Sequence, residues 1–344
     1  MLKLSAILRT ILASVSVSLL LTASAGCKDS SQSQGVGWQP NVPFGTLPPG
    51  FDTFPERWNR QINDRLAREE AAKQKEIREL REKFFKEEDP KIREKLQSKL
   101  ISDEAALSVI HRRQSEGDYI QFKTPADIPA DLKWEDGLDN PEIGDPNAKK
   151  GGVLRQWAPG SYPDTFRPNG PTSNSGFRGP LYDEIIIGLV SIHPVTGKII
   201  PGIARKWAES PDRRTVYFEL DPDARYSDGA KVKAVDLLVN MYIRTSEHSR
   251  DVFYNNFYYQ NASNITIYDD SRFSVTLPSP KPLLPYYCTL FIPSPPHFYC
   301  EFGPSYVERY QWRVPPTTGA YVVKPDGIIR GRQVILQRIP DWWG

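Results

Sequence analysis

The sequence predicts an α/β domain over residues 151–344, preceded by a charged helical extension over 56–116. Three observations carry this. From Gly151 onward, short apolar–polar alternations are interleaved with helical spacings and many turns, the pattern of strands and helices packed in layers. Between Glu56 and Leu100 the composition shifts to Glu, Lys and Arg with a thin apolar stripe. Between Trp207 and Asp236 a strand, a turn, a short strand, a second turn and a helix start follow in succession.

The chain opens with Lys3 and Arg9, an apolar run from Ile11 to Leu21, and then Thr22-Ala23-Ser24-Ala25-Gly26-Cys27. This reads as a secretory signal peptide over 1–26. The uninterrupted apolar part is well short of the ~20 residues a membrane span needs. Ala25-Gly26-Cys27 resembles a lipoprotein box, with Ser24 where such boxes usually carry Leu, while Ala23-Ser24-Ala25 also fits ordinary cleavage. A lipidated Cys27 is the favoured reading, so the chain would hang on the membrane by acyl chains and span nothing.

Residues 27–55 are rich in Ser, Pro and Gly and read as an extended tether. In the extension, Trp58, Ile62 and Leu66, then Ile77, Leu80 and Phe84, then Ile92, Leu96 and Leu100 form the stripe, which Asp89-Pro90 interrupts. A helical hairpin or a bent helix is expected, with i,i+4 ion pairs around Glu76. The stripe is too short for a committed heptad repeat, so a spacer or intramolecular clamp is favoured over a coiled-coil contact. Residues 117–150, rich in Pro and Asp, read as a linker.

In the domain, Gly152–Trp157 is expected as the first strand and Pro159–Asp164 as the loop after it. Phe177–Leu189 is expected as a helix. Val190–Ile192 then forms a strand, followed by a turn over His193–Lys198 with His193 exposed. Trp207 is expected as a buried anchor. Thr215–Leu220 alternates so that Val216, Phe218 and Leu220 share a buried face. Ser210-Pro211-Asp212 and Asp221-Pro222-Asp223 bound this strand with turn chemistry, and Ser227-Asp228-Gly229 makes a further turn. Lys233–Met241 has helical spacing, with Asp236 near the positive end. The aromatic run Phe253–Tyr259 suits a core cap more than a ligand lining. Ile265–Ile267 and Phe273–Leu277 pair through a turn at Asp269-Asp270-Ser271, and Val334–Leu336 adds a late strand.

Trp207, a polar turn, an aromatic strand ending in Leu220, Ser227-Asp228-Gly229 and Ala234-Val235-Asp236-Leu237 together resemble the signature of solute-binding protein family 5. Lys150-Gly151-Gly152-Val153-Leu154, Pro201–Trp207 and Arg338–Gly344 extend the likeness over 150–344, with Asp221 departing from the basic residue usual there. The resemblance implies a periplasmic-binding-protein type II-like fold with lobe I only, the second lobe absent. It also implies an extracytoplasmic substrate-binding component of an ABC importer, most naturally for peptides, which closes on its solute and docks on permease subunits. By the same resemblance Gly160, Ser161 and Tyr162 are expected ligand contacts, with Tyr254 and Thr318 weaker ones. The alternative from another class is a lipid-anchored interaction protein that binds a partner through its charged helices.

A formal net charge of +2 argues against nucleic acid as a partner. No GxSxG, HExxH, CxxC or Walker-type stretch occurs, and His111, His193, His248 and His297 lack metal-ligand spacing, so neither enzyme chemistry nor a cofactor is expected. Cys288 and Cys300 permit one disulfide in an oxidising compartment, stabilising by about 3 kcal/mol, with two buried thiols as the alternative.

Overall fold

Two prolines set the start of the architecture. Pro55 and Pro90 each lie in the first turn of a helix, where a missing N–H costs nothing. Helix α1 spans Phe54–Lys86 and α2 spans Pro90–Ser115, with the Asp89 carboxylate accepting from the amides of Lys91 and Ile92. The computed structural model describes residues 38–145, 147–149, 151–157, 162–329 and 331–344, with the side chains of residues 324 and 325 excepted. The expected signal peptide over 1–26, Cys27, Gly160 and Ser161 lie outside the described residues.

The two helices form a hairpin closed by ion pairs: Lys73–Asp103 at 3.1 Å, Lys99–Glu76 at 3.2 Å and Arg81–Glu104 at 2.7 Å. The inner face of α1 does more than brace α2. Phe54, Trp58, Ile62 and Leu66, spaced every four residues, are buried in one core with the central sheet. Asn59 bonds both backbone groups of Ile120, at 2.9 and 2.7 Å, and the Arg65 guanidinium lies 3.5 Å from the Tyr259 ring centroid. The segment before α1 is not a free tether either. The Tyr242 hydroxyl donates to the Pro49 carbonyl at 2.7 Å, and Trp38 packs edge-on against Phe298 and Tyr310.

The remaining elements follow in order: β1 (Ile120–Phe122), β2 (Trp134–Glu135), β3 (Val190–Ile192), β4 (Ile199–Pro201), β5 (Ala204–Glu209), β6 (Thr215–Leu220), α3 (Val235–Thr245), α4 (Phe253–Asn261), β7 (Asn264–Ile267), β8 (Arg272–Thr276), α5 (Leu284–Tyr287), α6 (Tyr306–Arg309), β9 (Tyr321–Ile329) and β10 (Gln333–Arg338). Six strands form one sheet in the order β1-β7-β8-β6-β5-β2, with β1–β7 parallel and the other pairs antiparallel. The expected α/β class is therefore present. Alternation in β6 buries Val216, Phe218 and Leu220 as anticipated. Phe218 stacks on its cross-strand partner Phe273 with centroids 5.1 Å apart. Trp207 pairs with Phe218 from β5 and is buried. Tyr258 and Tyr259 of α4 are buried in this core, so that part of the aromatic run is a cap.

Four expectations need correction. Gly152–Trp157 is not a strand: both outer positions of the sheet are held by β1 and β2, and Val153, Leu154 and Trp157 stand 83–84% exposed. Phe177–Leu189 is helical only over Gly179–Asp183, because the backbone of Ile187 bonds Thr318 instead of continuing a helix. His193 is buried: its Nδ1 accepts from the amides of Val195 and Thr196 at 3.2 and 3.1 Å. Its Nε2 faces the Pro141 carbonyl at 2.9 Å, so the ring staples the β3–β4 turn to the preceding linker. Cys288 and Cys300 are free thiols, not a disulfide; Cys288 lies in apolar core and burial pushes its thiol well up. A reductant is accordingly expected to leave the melting temperature unchanged. Thiol titration should find Cys288 unreactive until the protein is unfolded.

Candidate functional site

The corner where the sheet meets the β9–β10 hairpin gathers most of the sequence motifs. Gly229 turns with φ +92°, which brings Tyr226, Ser227 and Asp228 into three separate contacts. The Tyr226 hydroxyl donates to Asp236 Oδ2 at 2.9 Å, and the Lys233 amide donates to the same oxygen at 3.0 Å. Burial raises Asp236 to about 7, against the pull of these two donors. The Ser227 amide donates to the Thr317 carbonyl at 2.7 Å, and the Ser227 hydroxyl accepts from the Thr317 amide at 3.1 Å. Asp228 Oδ2 lies 2.7 Å from Nε2 of His297, which is 1% exposed and covered by the Phe44 ring at 4.9 Å.

Thr318 sits at the centre of a second crossing. Its hydroxyl donates to the Ile187 carbonyl at 2.8 Å and accepts from the Ile187 amide at 3.0 Å. Its carbonyl accepts from both Trp342 and Trp343, at 3.0 and 3.2 Å. Gly319 is required beside it, since a Cβ there would fall 1.5 Å from the Ile185 carbonyl oxygen. A buried threonine with its hydroxyl so committed offers nothing to a ligand, which corrects the expectation for Thr318. Replacing it by Val keeps the shape and leaves the Ile187 amide and carbonyl without that partner. A loss of about 1–3 kcal/mol in chemical denaturation is expected.

Tyr162 packs into a second, smaller apolar cluster with Phe166, Phe177 and Trp312, at centroid distances of 5.9, 6.0 and 6.4 Å. The exit of its loop is pinned where the Phe166 amide and the Thr165 hydroxyl both donate to the Gln311 carbonyl, at 2.7 and 2.8 Å. Tyr254 belongs instead to the main core, with the Arg244 guanidinium 4.5 Å from its ring centroid. Of the five expected contacts, Gly160 and Ser161 lie outside the described residues; the other three do not meet in one site, since Thr318 is internal and Tyr162 and Tyr254 serve different clusters.

Sequence reasoning missed the Asp228–His297 pair and the buried arginines. Arg313 is fully buried, 2.7 Å from Glu301 and 3.5 Å from the Trp38 ring centroid. The Arg167 guanidinium donates to the Pro171 carbonyl at 2.7 Å, and burial pulls its pKa down. Asp228 lay in a motif already singled out, but nothing near His297 in sequence signals a partner 69 residues away. Surface grooves among the described residues include two that carry charged lining. One of about 510 Å³ is lined by Glu135, Asp136, Asp139, Lys198, Trp207 and Leu283 among others, and one of about 390 Å³ by Glu56, Asn59, Arg60, Asn63, Asp64 and Asp118. Neither includes an expected contact. The corner is a scaffold: its hydroxyls and carboxylates are turned on one another, which suits holding a loop in place.

Residues 198–344 match the model of bacterial extracellular solute-binding proteins, family 5 Middle, which bears out the resemblance read from the sequence. The matched stretch contains the Trp207–Asp236 signature and the closing tryptophans. The chain is similar to a probable ABC transporter-binding protein of Deinococcus radiodurans, 26% identical over 167 residues covering 44% of this chain and 27% of that protein. It is also similar to the periplasmic oligopeptide-binding protein OppA of Salmonella typhimurium, 27% identical over 183 residues covering 47% and 31%. Among solved structures, Haemophilus influenzae OppA in complex with RPPGFSPFR matches at 23% identity and a TM-score of 0.42, covering 54% of this chain and 38% of that one. The matches to these two curated relatives cover less than a third of their length. The family is one of binding proteins. No helix among the described residues is long and apolar enough to cross a membrane.

Proposed function

We propose that this chain is the exported, lipid-anchored solute-capturing component of an ABC importer, that it takes peptides, and that it docks on permease subunits without covalent chemistry. The observation that carries the reading is the family match over 198–344, which falls on the segment that builds the central strands and the motif corner. In this reading the domain is a type II-like lobe I, Gly160, Ser161 and Tyr162 are its ligand contacts, and Cys27 carries the lipid. An extended peptide recognised through its backbone needs few dedicated side chains, in keeping with a corner whose polar groups are spent internally.

Calorimetry tests this, with residues 28–344 titrated by a mixed peptide pool, alone and together with a chain supplying a second lobe. Heat from either arrangement supports peptide capture. No heat from both, with residues 28–344 melting cooperatively, overturns it. One observation favours the interaction-protein reading in that event: the outer face of the hairpin exposes Phe85 at 78% and Ile101 at 62%.

A further inference from the structure

Two features outside the motif corner complement each other. The first is the free edge of the six-stranded sheet. β2 is its last strand, two residues long, and pairs on one side only, with Trp134 opposite Ala208 and Glu135 opposite Trp207. The other side of β2 has no strand beside it among the described residues, so it is a template for an added strand. Beside it lies the 510 Å³ groove, floored by Ile199, Trp207 and Leu283 and rimmed by Glu135, Asp136 and Asp139. Gly137 (φ +65°) lets the rim approach this floor, since a Cβ there would fall 2.6 Å from the Ile199 carbonyl oxygen and 3.0 Å from the Trp207 ring. Lys198 neutralises Asp139 at 3.1 Å. Glu135 and Asp136 have no ion-pair partner among the described residues, so the groove is apolar below and negative above.

The second feature is the segment Gly152–Trp157, which has strand sequence and no strand partner. If it is extended, Val153, Arg155 and Trp157 share one face at period two. That face places a cation between two apolar side chains, the inverse of the groove. Val153 and Trp157 are 83% and 84% exposed, and Arg155 is exposed with no ion-pair partner among the described residues.

We propose that Gly152–Trp157 of one copy of this chain adds to the β2 edge of another, setting Arg155 against Glu135 and Asp136 and laying Val153 and Trp157 on the apolar floor. The donor and acceptor surfaces differ, so the contact is head-to-tail and every open assembly keeps one free donor at one end and one free acceptor at the other. A six-residue strand buries less than the roughly 1,200 Å² typical of stable interfaces, so association should be weak, concentration-dependent and weakened by salt.

Sedimentation velocity on residues 28–344 over a wide concentration range tests the proposal. The wild type is expected to show a rising weight-average sedimentation coefficient, and Arg155→Glu and Glu135→Arg should each stay monomeric with unchanged melting curves. Mixing the two single variants should restore open-ended association with the two variants alternating, because both joints between unlike copies are charge-complementary and both joints between like copies are not. The double variant should recover open-ended association. A wild type that stays monomeric throughout, or single variants that associate as the wild type does, would overturn the assignment.

Discussion

Replacing Asp236 by Asn is expected to flatten a large part of the pH dependence of stability. The carboxyl stands at about 7 in the fold against an ordinary value of 3.8, because burial disfavours its charged form. A raised carboxyl binds its proton more tightly in the native state, so its contribution is full below pH 3.8 and is lost as pH rises towards 7. The span corresponds to about 4 kcal/mol. Both donors, Tyr226 and Lys233, address the single oxygen Oδ2, so an Asn whose carbonyl takes that place can keep both bonds. Denaturation of wild type and Asp236→Asn from pH 4 to 8 should give curves that diverge as pH rises, with the variant the more stable at pH 8. Parallel curves would show that the group ionises freely in the native protein.

Trp58→Ala is expected to cost about 3–5 kcal/mol, the range for removing a large aromatic side chain from a packed core. Trp58 is buried in α1, 5.9 Å from the Tyr119 ring centroid, in the core shared with the sheet. Phe85→Ala at the exposed end of the same helix should change stability by no more than about 0.5 kcal/mol. Urea midpoints of the two variants therefore distinguish a clamp that belongs to the domain from a spacer that does not. Equal, small effects would restore the spacer.

The parts of the fold legible in the sequence were those whose own pattern decides their structure. The alternation of Thr215–Leu220 names its buried face without help from neighbours, and the stripe through Trp58, Ile62 and Leu66 names the inner side of α1. What stayed hidden depends on partners far along the chain. β1 and β2 are three and two residues long, too short to carry a period, and exist because β7 and β5 offer edges to them. With those edges taken, Val153 and Leu154 are left in water despite ideal strand sequence. His193 and Thr318 looked available because side-chain type does not reveal that a backbone elsewhere will use the group. At the candidate site, composition marked the turns, while the pairing of Ser227 with Thr317 and of Asp228 with His297 arises only from tertiary structure.

The parallel pairing of β1 with β7 sets an order of events in time. The hairpin closes through ion pairs between residues only 23 to 30 positions apart, so it can form as soon as α2 has been made. Ile120 has no strand to join until the chain beyond Ile265 exists, and the apolar face of α1 must wait with it. A nascent chain therefore passes through a stage in which a charged, finished hairpin carries an uncovered apolar stripe. The density of Glu, Lys and Arg around that stripe is what would keep such an intermediate soluble until the sheet closes over it.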